Sequence, residues 1–384
     1  MYGRASLTRR AFVGIGGTMA LAGCLGGTRL STLAAERADY YVSPDGNDGS
    51  TGTKSNPLRT IRAAIGKATQ GDLIYVRGGT YDQSSRIEIW ETGGTQDRPI
   101  RLVGYPGERP IVSGDQIWVS QAAHWHIENF EIRNSGTNGV MLLSSDHITL
   151  KNLDVHHHSE SGVLVYDSPE NRLVNVTSHH NHDVSTGGQN ADGIDVVGGD
   201  SKGNLVYGAN TFWNSDDGID LWKGGPTTIR RSVSWNNGLD KEGNGNGFKL
   251  SGGEPDTGGH TLERSVAFGN RHRGVDLVTS TIPCKLYNNT AWNNQIDVRV
   301  SDAPHELRNN LSDAGQVLVE NVVDDRHNSW NLDITRPRFA SVDPASGAFL
   351  RLSKGSPAID AGVDVGLEYA GAAPDLGAFE FQQS

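Results

Sequence analysis

Two cysteines, Cys24 and Cys284, are all that the chain contains, and Cys24 falls inside an N-terminal targeting pattern. A disulfide framework is therefore excluded, although an oxidising compartment would permit one. No apolar run approaches the ~20 residues that span a bilayer. Basic residues are scarce as well: 34 Lys and Arg stand against 45 Asp and Glu, for a formal charge of −11. That balance excludes the basic footprint that nucleic-acid binding needs, and no nucleic-acid partner is expected. Apolar residues at helical spacing are nearly absent. Core burial, backbone ladders or a metal must hold the fold instead.

The N-terminus is set apart from fold reasoning. Thr8-Arg9-Arg10-Ala11-Phe12 is a twin-arginine pattern, and the short apolar run after it ends in Leu21-Ala22-Gly23-Cys24, which is similar to a lipobox. Residues 1–24 are read as a signal peptide, 25–38 as a linker and 39–384 as a single domain. The mature protein is expected outside the cytoplasm, secreted by the twin-arginine route. Lipidation of Cys24 would anchor it to the outer face of the membrane, whereas a Sec-type signal with an incidental cysteine is the alternative. Removing Arg4, Arg9 and Arg10, with no acid among residues 1–24, takes the charge from −11 to −14. Such acidity repels an acidic polysaccharide unless a cation or a local basic cluster offsets it. A monomer is expected.

What is present is glycine, 49 residues of it, and a repeat. A polar residue, a glycine and an apolar residue recur as Asn138-Gly139-Val140, Ser161-Gly162-Val163, Asp192-Gly193-Ile194, Asp217-Gly218-Ile219, Asn246-Gly247-Phe248 and Arg273-Gly274-Val275. The glycines are 23, 31, 25, 29 and 27 residues apart. A second pattern precedes the later copies: Phe212-Trp213-Asn214, Ser234-Trp235-Asn236 and Ala291-Trp292-Asn293, with Phe268-Gly269-Asn270 between the last two. Short β-prone runs separated by polar turns, in units of ~20–30 residues, predict an all-β parallel β-helix, because one coil cannot bury its apolar face alone. Propeller blades run to ~40 residues or more and fit less well. Val140, Val163, Ile194, Ile219, Phe248 and Val275 are expected to stack inward. Asn214, Asn236 and Asn293 are expected to form a ladder, with Trp213, Trp235, Phe268 and Trp292 stacked beside it. Leu58, Ile61, Ile65 and Ala68 share one helical face, so residues 57–68 are expected to cap the N-terminal end, and Gly71 onward to begin the coils.

Stacking the coils turns the repeat into a site. Equivalent positions on neighbouring coils lie ~4.8 Å apart. The residues before the glycines form the column Asn138, Ser161, Asp192, Asp217, Asn246. Those two after form Met141, Leu164, Asp195, Asp220, Lys249, Asp276. Asp192, Asp216, Asp217 and Asp220 can then converge from two adjacent coils, provided the glycine allows a bend between Asp217 and Asp220. Carboxylates without soft ligands select a hard cation, and Ca2+ suits an irregular site better than Mg2+. Zinc is disfavoured, since no histidine falls at ligand spacing with these acids. His156, His157, His158, His179, His180 and His182 are read as stacking or turn residues. Lys249, one coil beyond Asp220, places a base beside the acids.

Asn190-Ala191-Asp192-Gly193, Asn214-Ser215-Asp216-Asp217-Gly218-Ile219-Asp220-Leu221 and Asn246-Gly247-Phe248-Lys249-Leu250 resemble the motifs of pectate lyases of polysaccharide lyase family 9, over roughly residues 39–300. The resemblance implies a right-handed parallel β-helix with one calcium held by Asp192, Asp216, Asp217 and Asp220. It also implies Lys249 as Brønsted base and an acidic polysaccharide, pectate first, as substrate. The chemistry would be β-elimination, in which a cation lowers the charge of the uronate carboxylate while the lysine takes the neighbouring C5 proton. Arg271, Arg273, Lys223 and Lys202 are candidates for contacting other substrate carboxylates. Two other functions remain open at this stage: a hydrolase of the polygalacturonase type working with an Asp pair, and a non-catalytic, calcium-stabilised surface or carbohydrate-binding protein.

Overall fold

A computed structural model describes residues 37–250, 257–320 and 324–382. The signal segment 1–24, its Cys24 and residues 25–36 of the linker lie outside the described residues. The chain winds through three short strands per coil, and like strands of successive coils pair in parallel. They build a twelve-stranded sheet from Tyr40–Val42 to Asp324–Arg326, a ten-stranded sheet from Gly79–Asp82 to Leu311–Asp313, and a ten-stranded sheet from Ile87–Trp90 to Gln316–Val319. These are called the first, second and third sheets below. The whole is a right-handed parallel β-helix. Among the described residues no helix is long and apolar enough to cross a membrane.

Side chains alternate in and out along each strand. Val163–Tyr166 shows this, with Val163 and Val165 buried and Tyr166 exposed. The inward stack is the one expected: Val140, Val163, Ile194, Ile219, Phe248 and Val275 lie in register and are all buried. The repeated glycine just before them is required by space. A Cβ on Gly193 would stand 2.5 Å from the Gly218 carbonyl oxygen, and one on Gly247 2.7 Å from that of Gly274. None of these repeat glycines has positive φ among the described backbone, so close approach, and not a bend, explains them.

The corner between the second and third sheets corrects two expectations. The asparagine ladder is Asn181, Asn214, Asn237, Asn270, Asn294. Each side-chain oxygen accepts the backbone N–H of the residue one coil earlier at 3.0–3.3 Å. Asn236 and Asn293 are not in it; they sit one residue earlier with left-handed backbone, φ 50° and 55°. The aromatic stack shifts likewise. Phe212, not Trp213, pairs in register with Trp235, and the rings of His156, His179, Phe212, Trp235 and Phe268 follow one another at 4.5–5.5 Å. Trp213 instead stands edge-on to His180. The Trp213-Asn214 and Trp235-Asn236 pairs are therefore one residue out of register from coil to coil.

One end and one face are covered. The N-terminal helix is only Ile61–Ile65, with the Thr60 side chain accepting the Ala63 N–H; Leu58, Ile61 and Ala64 are buried against the first coils. The coils begin earlier than expected, because Tyr40–Val42 already pairs with Leu73–Val76. The C-terminal segment folds back over the second sheet, where Phe339, Phe349, Leu350 and Phe379 cover Phe212, Trp235 and Phe268.

Candidate active site

The outer face of the third sheet carries the acids. Asp195, Asp220, Lys249 and Asp276 occupy one column in register. Asp192, Asp216 and Asp217 come from the turns leading into the strands Ile194–Val197 and Ile219–Asp220. All four expected ligands are buried, at 0–5 % exposure. They form two overlapping groups: ligand oxygens of Asp192, Asp216 and Asp217 lie within 4.8 Å of one another, and so do those of Asp192, Asp195 and Asp220. The structure thus adds Asp195, which the sequence reading placed in the column and gave no role.

Backbone donors fix one oxygen of three of the carboxylates. Asp192 Oδ1 accepts the Asp217 N–H at 2.8 Å and Asp217 Oδ1 accepts the Asn246 N–H at 2.6 Å. Asp216 Oδ1 accepts the Asn244 N–H. Other oxygens are left over. Asp217 Oδ2, Asp220 Oδ1 and Asp195 Oδ1 are buried oxygens without a hydrogen-bond partner, an arrangement that is costly unless something positive faces them. The side-chain amide of Asn246, next in the Asp217 column, is also buried without a partner.

Lys249 is the one cation inside this group among the described residues. Its Nζ donates to Asp220 Oδ2 at 2.7 Å, stands 3.5 Å from Asp217 Oδ2, and lies 4.9 Å from the centre of the Trp222 ring. One ammonium cannot balance five carboxylates. Burial, with Asp216, Asp220, Asp195 and Asp217 around it, holds the Asp192 carboxyl well above its ordinary range. Burial and the adjacent Asp217 push Asp216 up to about 8, and burial pushes Asp217 to about 6 against the pull of Lys249. For Lys249 burial disfavours the charged form, but Asp220, Asp217 and Asp192 outweigh it and raise its pKa. Lys249 is thus the counter-ion of these carboxylates, which favour its charged form.

The donors fit a hard divalent cation. They are all carboxylate oxygens, several lack any partner, and calcium takes six to eight oxygens in flexible geometry. The histidines do not join them. His156 and His179 are stacked at 9° between planes, so their in-plane lone pairs cannot both point at one ion. Burial holds His158, a member of the polar ladder, down to about 3. The candidate substrate cations divide. Arg271 donates to the carbonyls of Asp240, Lys241 and Gly243, which pins the loop that presents Asn244 to Asp216. Arg273 pairs with Asp276 on the outer face of the third sheet. Lys223 Nζ lies 5.7 Å from the Trp222 ring centre.

Comparison with known proteins agrees with this geometry. Residues 40–310 match the family described as Pel9A-like, right handed beta helix region. The chain is 30 % identical to pectate lyase L of Dickeya chrysanthemi, over 96 % of each chain. It is also 30 % identical to pectate lyase PEL9 of Emericella nidulans, over 77 % of this chain and 84 % of that one. Among solved structures, the crystal structure of pectate lyase Pel9A superposes with a TM-score of 0.82 at 29 % identity, covering 91 % of this chain and 98 % of the other.

Proposed function

The chain belongs to the Pel9A-like, right-handed β-helix family and is a polysaccharide lyase, and from that premise we propose that it cleaves pectate by calcium-dependent β-elimination with Lys249 as base. The observation that carries the reading is the lysine's setting: a partly buried amine one coil beyond a cluster of five carboxylates, with unpartnered oxygens beside it. Asp192, Asp216, Asp217 and Asp220 would hold the calcium, with Asp195 within reach of the same group. Calcium supplies, when bound, the positive charge that offsets the charge developing on a uronate carboxylate as its neighbouring C–H is deprotonated.

The rest is done by the chain. Lys249 must be a free amine to accept the C5 proton, and its proton is retained by Asp220 and Asp217. Were those carboxylates to hold a cation, their pull on the ammonium would weaken, and burial would favour the amine. The C5–H electron pair then forms the C4–C5 double bond and expels the glycosidic oxygen at C4, which takes a proton from water, giving an unsaturated non-reducing end. Trp222 lies over Lys249 and limits water at the amine. We place the enzyme outside the cytoplasm, exported by the twin-arginine signal and anchored through Cys24; mass spectrometry of the mature N-terminus checks this.

The test is to incubate the protein with polygalacturonate and calcium and follow the ultraviolet absorbance of the unsaturated product. Absorbance that appears with calcium and vanishes with chelator is expected. New reducing ends without that absorbance would mean hydrolysis and would sink the lyase mechanism.

A further inference from the structure

Two loops border the carboxylates without supplying any of the five. Residues 183–190 lead into Asp192, and residues 238–245 lead into the strand that carries Lys249. The second loop is pinched at its neck. A Cβ on Gly238 would stand 2.5 Å from the Gly245 Cα, and one on either glycine would stand 3.0 Å from the Arg271 Cβ. Loops with touching ends are packed by side chains inside them, and here the Arg271 side chain takes that place. It donates to the carbonyls of Asp240, Lys241 and Gly243, which suits a planar group with several fixed donors. Where the chain leaves the loop, the Asn244 N–H meets Asp216 Oδ1 and the Asn246 N–H meets Asp217 Oδ1.

The first loop is built on Asp183, whose carboxylate accepts the Ser185 N–H at 2.9 Å, the Ser185 hydroxyl at 2.7 Å and the Asn190 side-chain amide at 3.0 Å. The two loops are joined. The His182 imidazole is bonded to the Asp240 carboxylate, and the Glu242 N–H donates to the Gly187 carbonyl at 3.3 Å. A Cβ on Gly243 would collide with the Ser215 carbonyl oxygen and meet that of Gly188 at 2.7 Å, so the second loop lies directly on the turn that carries Asp216. Metal affinity depends on the groups that orient the ligands as well as on the ligands. We propose, resting on the calcium-dependent reading above, that Arg271 and His182 are positioning residues that set the calcium affinity of the cluster. Arg271 holds the loop so that Asn244 fixes Asp216. His182 braces the same loop, through Asp240, against the one that precedes Asp192. Ligands from two coils are thereby oriented before the ion arrives, and the cost of ordering them is not taken from the binding energy.

The test measures calcium Kd by titration calorimetry in wild type, Arg271→Met, Arg271→Lys, His182→Ala and the double variant Arg271→Met/His182→Ala. The thermal midpoint of each chelated protein controls for folding. Arg271→Met is expected to raise Kd about tenfold or more, the scale of losing an outer partner of a metal ligand. Arg271→Lys, which can serve one carbonyl, should raise it less, and so should His182→Ala. Both residues act through one loop, so the double variant should bind calcium about as weakly as Arg271→Met alone, whereas independent effects would multiply. The calcium concentration that gives half-maximal lyase activity should move with Kd. If Arg271→Met does not fold, Arg271→Lys with and without His182→Ala makes the same comparison. An unchanged Kd in the arginine variants, with or without a lower midpoint of the chelated protein, would make Arg271 merely structural and overturn the proposal. Multiplying effects would overturn the shared brace. Wild type that binds no calcium at all would bring down the calcium reading as well.

Discussion

Lys249 and the acids around it illustrate how one side chain's chemistry is set by its neighbours. Alone, the lysine is an outward residue of a two-residue strand, Phe248–Lys249. Beside Asp220 and Asp217 it becomes a partly buried ammonium whose charged form those carboxylates favour. Lys249→Ala is therefore expected to lower kcat by about 10^3-fold or more, near the upper range for losing a general base. Calcium binding, followed by titration calorimetry, should stay within a few-fold. A variant that still turns over at the wild-type rate would remove Lys249 from the role of base. Four of the five acids were visible as a motif, because Asp216, Asp217 and Asp220 are crowded into one turn and Asp192 precedes a repeat glycine. Asp195 was visible only as a position in a column. Its unpartnered oxygen, which gives it a part in the site, depends on the side chains that surround it.

Among elements, the coil corner carries most of the stability arguments. Gly218 lies where a Cβ would collide with the Ser234 hydroxyl and meet the Gly247 carbonyl oxygen at 2.7 Å. Gly218→Ala is expected to destabilise by about 3 kcal/mol, the upper end for overpacking, and to weaken calcium binding because Asp217 and Asp220 flank it. Denaturant unfolding checks the first and calorimetry the second; an alanine variant as stable as wild type would show that the coils can spread. His158 makes the corner sensitive to pH. It occupies the ladder position of the later asparagines, its ring nitrogens bonded to the Ser135 N–H and the Ile132 carbonyl, and burial lowers it from 6.5 to about 3. The unfolded chain binds this proton below 6.5 and the folded chain does not until about 3. Stability from this group is thus present above 6.5 and is lost as pH falls from 6.5 to 3. His158→Asn should flatten the acid limb of a stability–pH curve; an unchanged slope would move the effect to other histidines such as the buried His260. The repeat and its strands were legible from alternation and glycine spacing. The ladder was not: Trp213 and Trp235 look equivalent in the sequence, yet Phe212 is the true partner of Trp235.

The whole molecule is a stack in which each coil contacts its neighbours, so a site spanning several coils ties them together. Calcium held by residues of two coils should raise the thermal midpoint, contributing ~2.7 kcal/mol at a hundredfold excess over Kd. Chelation should reverse the rise, and Asp192→Ala should abolish it. A midpoint indifferent to calcium in wild type would mean that the cluster does not bind the ion. The linear order of residues was sufficient for the solenoid, the inward aliphatic stack and the acidic motif with its lysine, because each is written within one coil or as a repeat of it. Register, the fifth carboxylate and the commitment of Arg271 to a loop became visible only in the folded chain. They depend on hydrogen bonds and collisions between residues twenty to thirty positions apart, where a slip of one residue moves a side chain to another face.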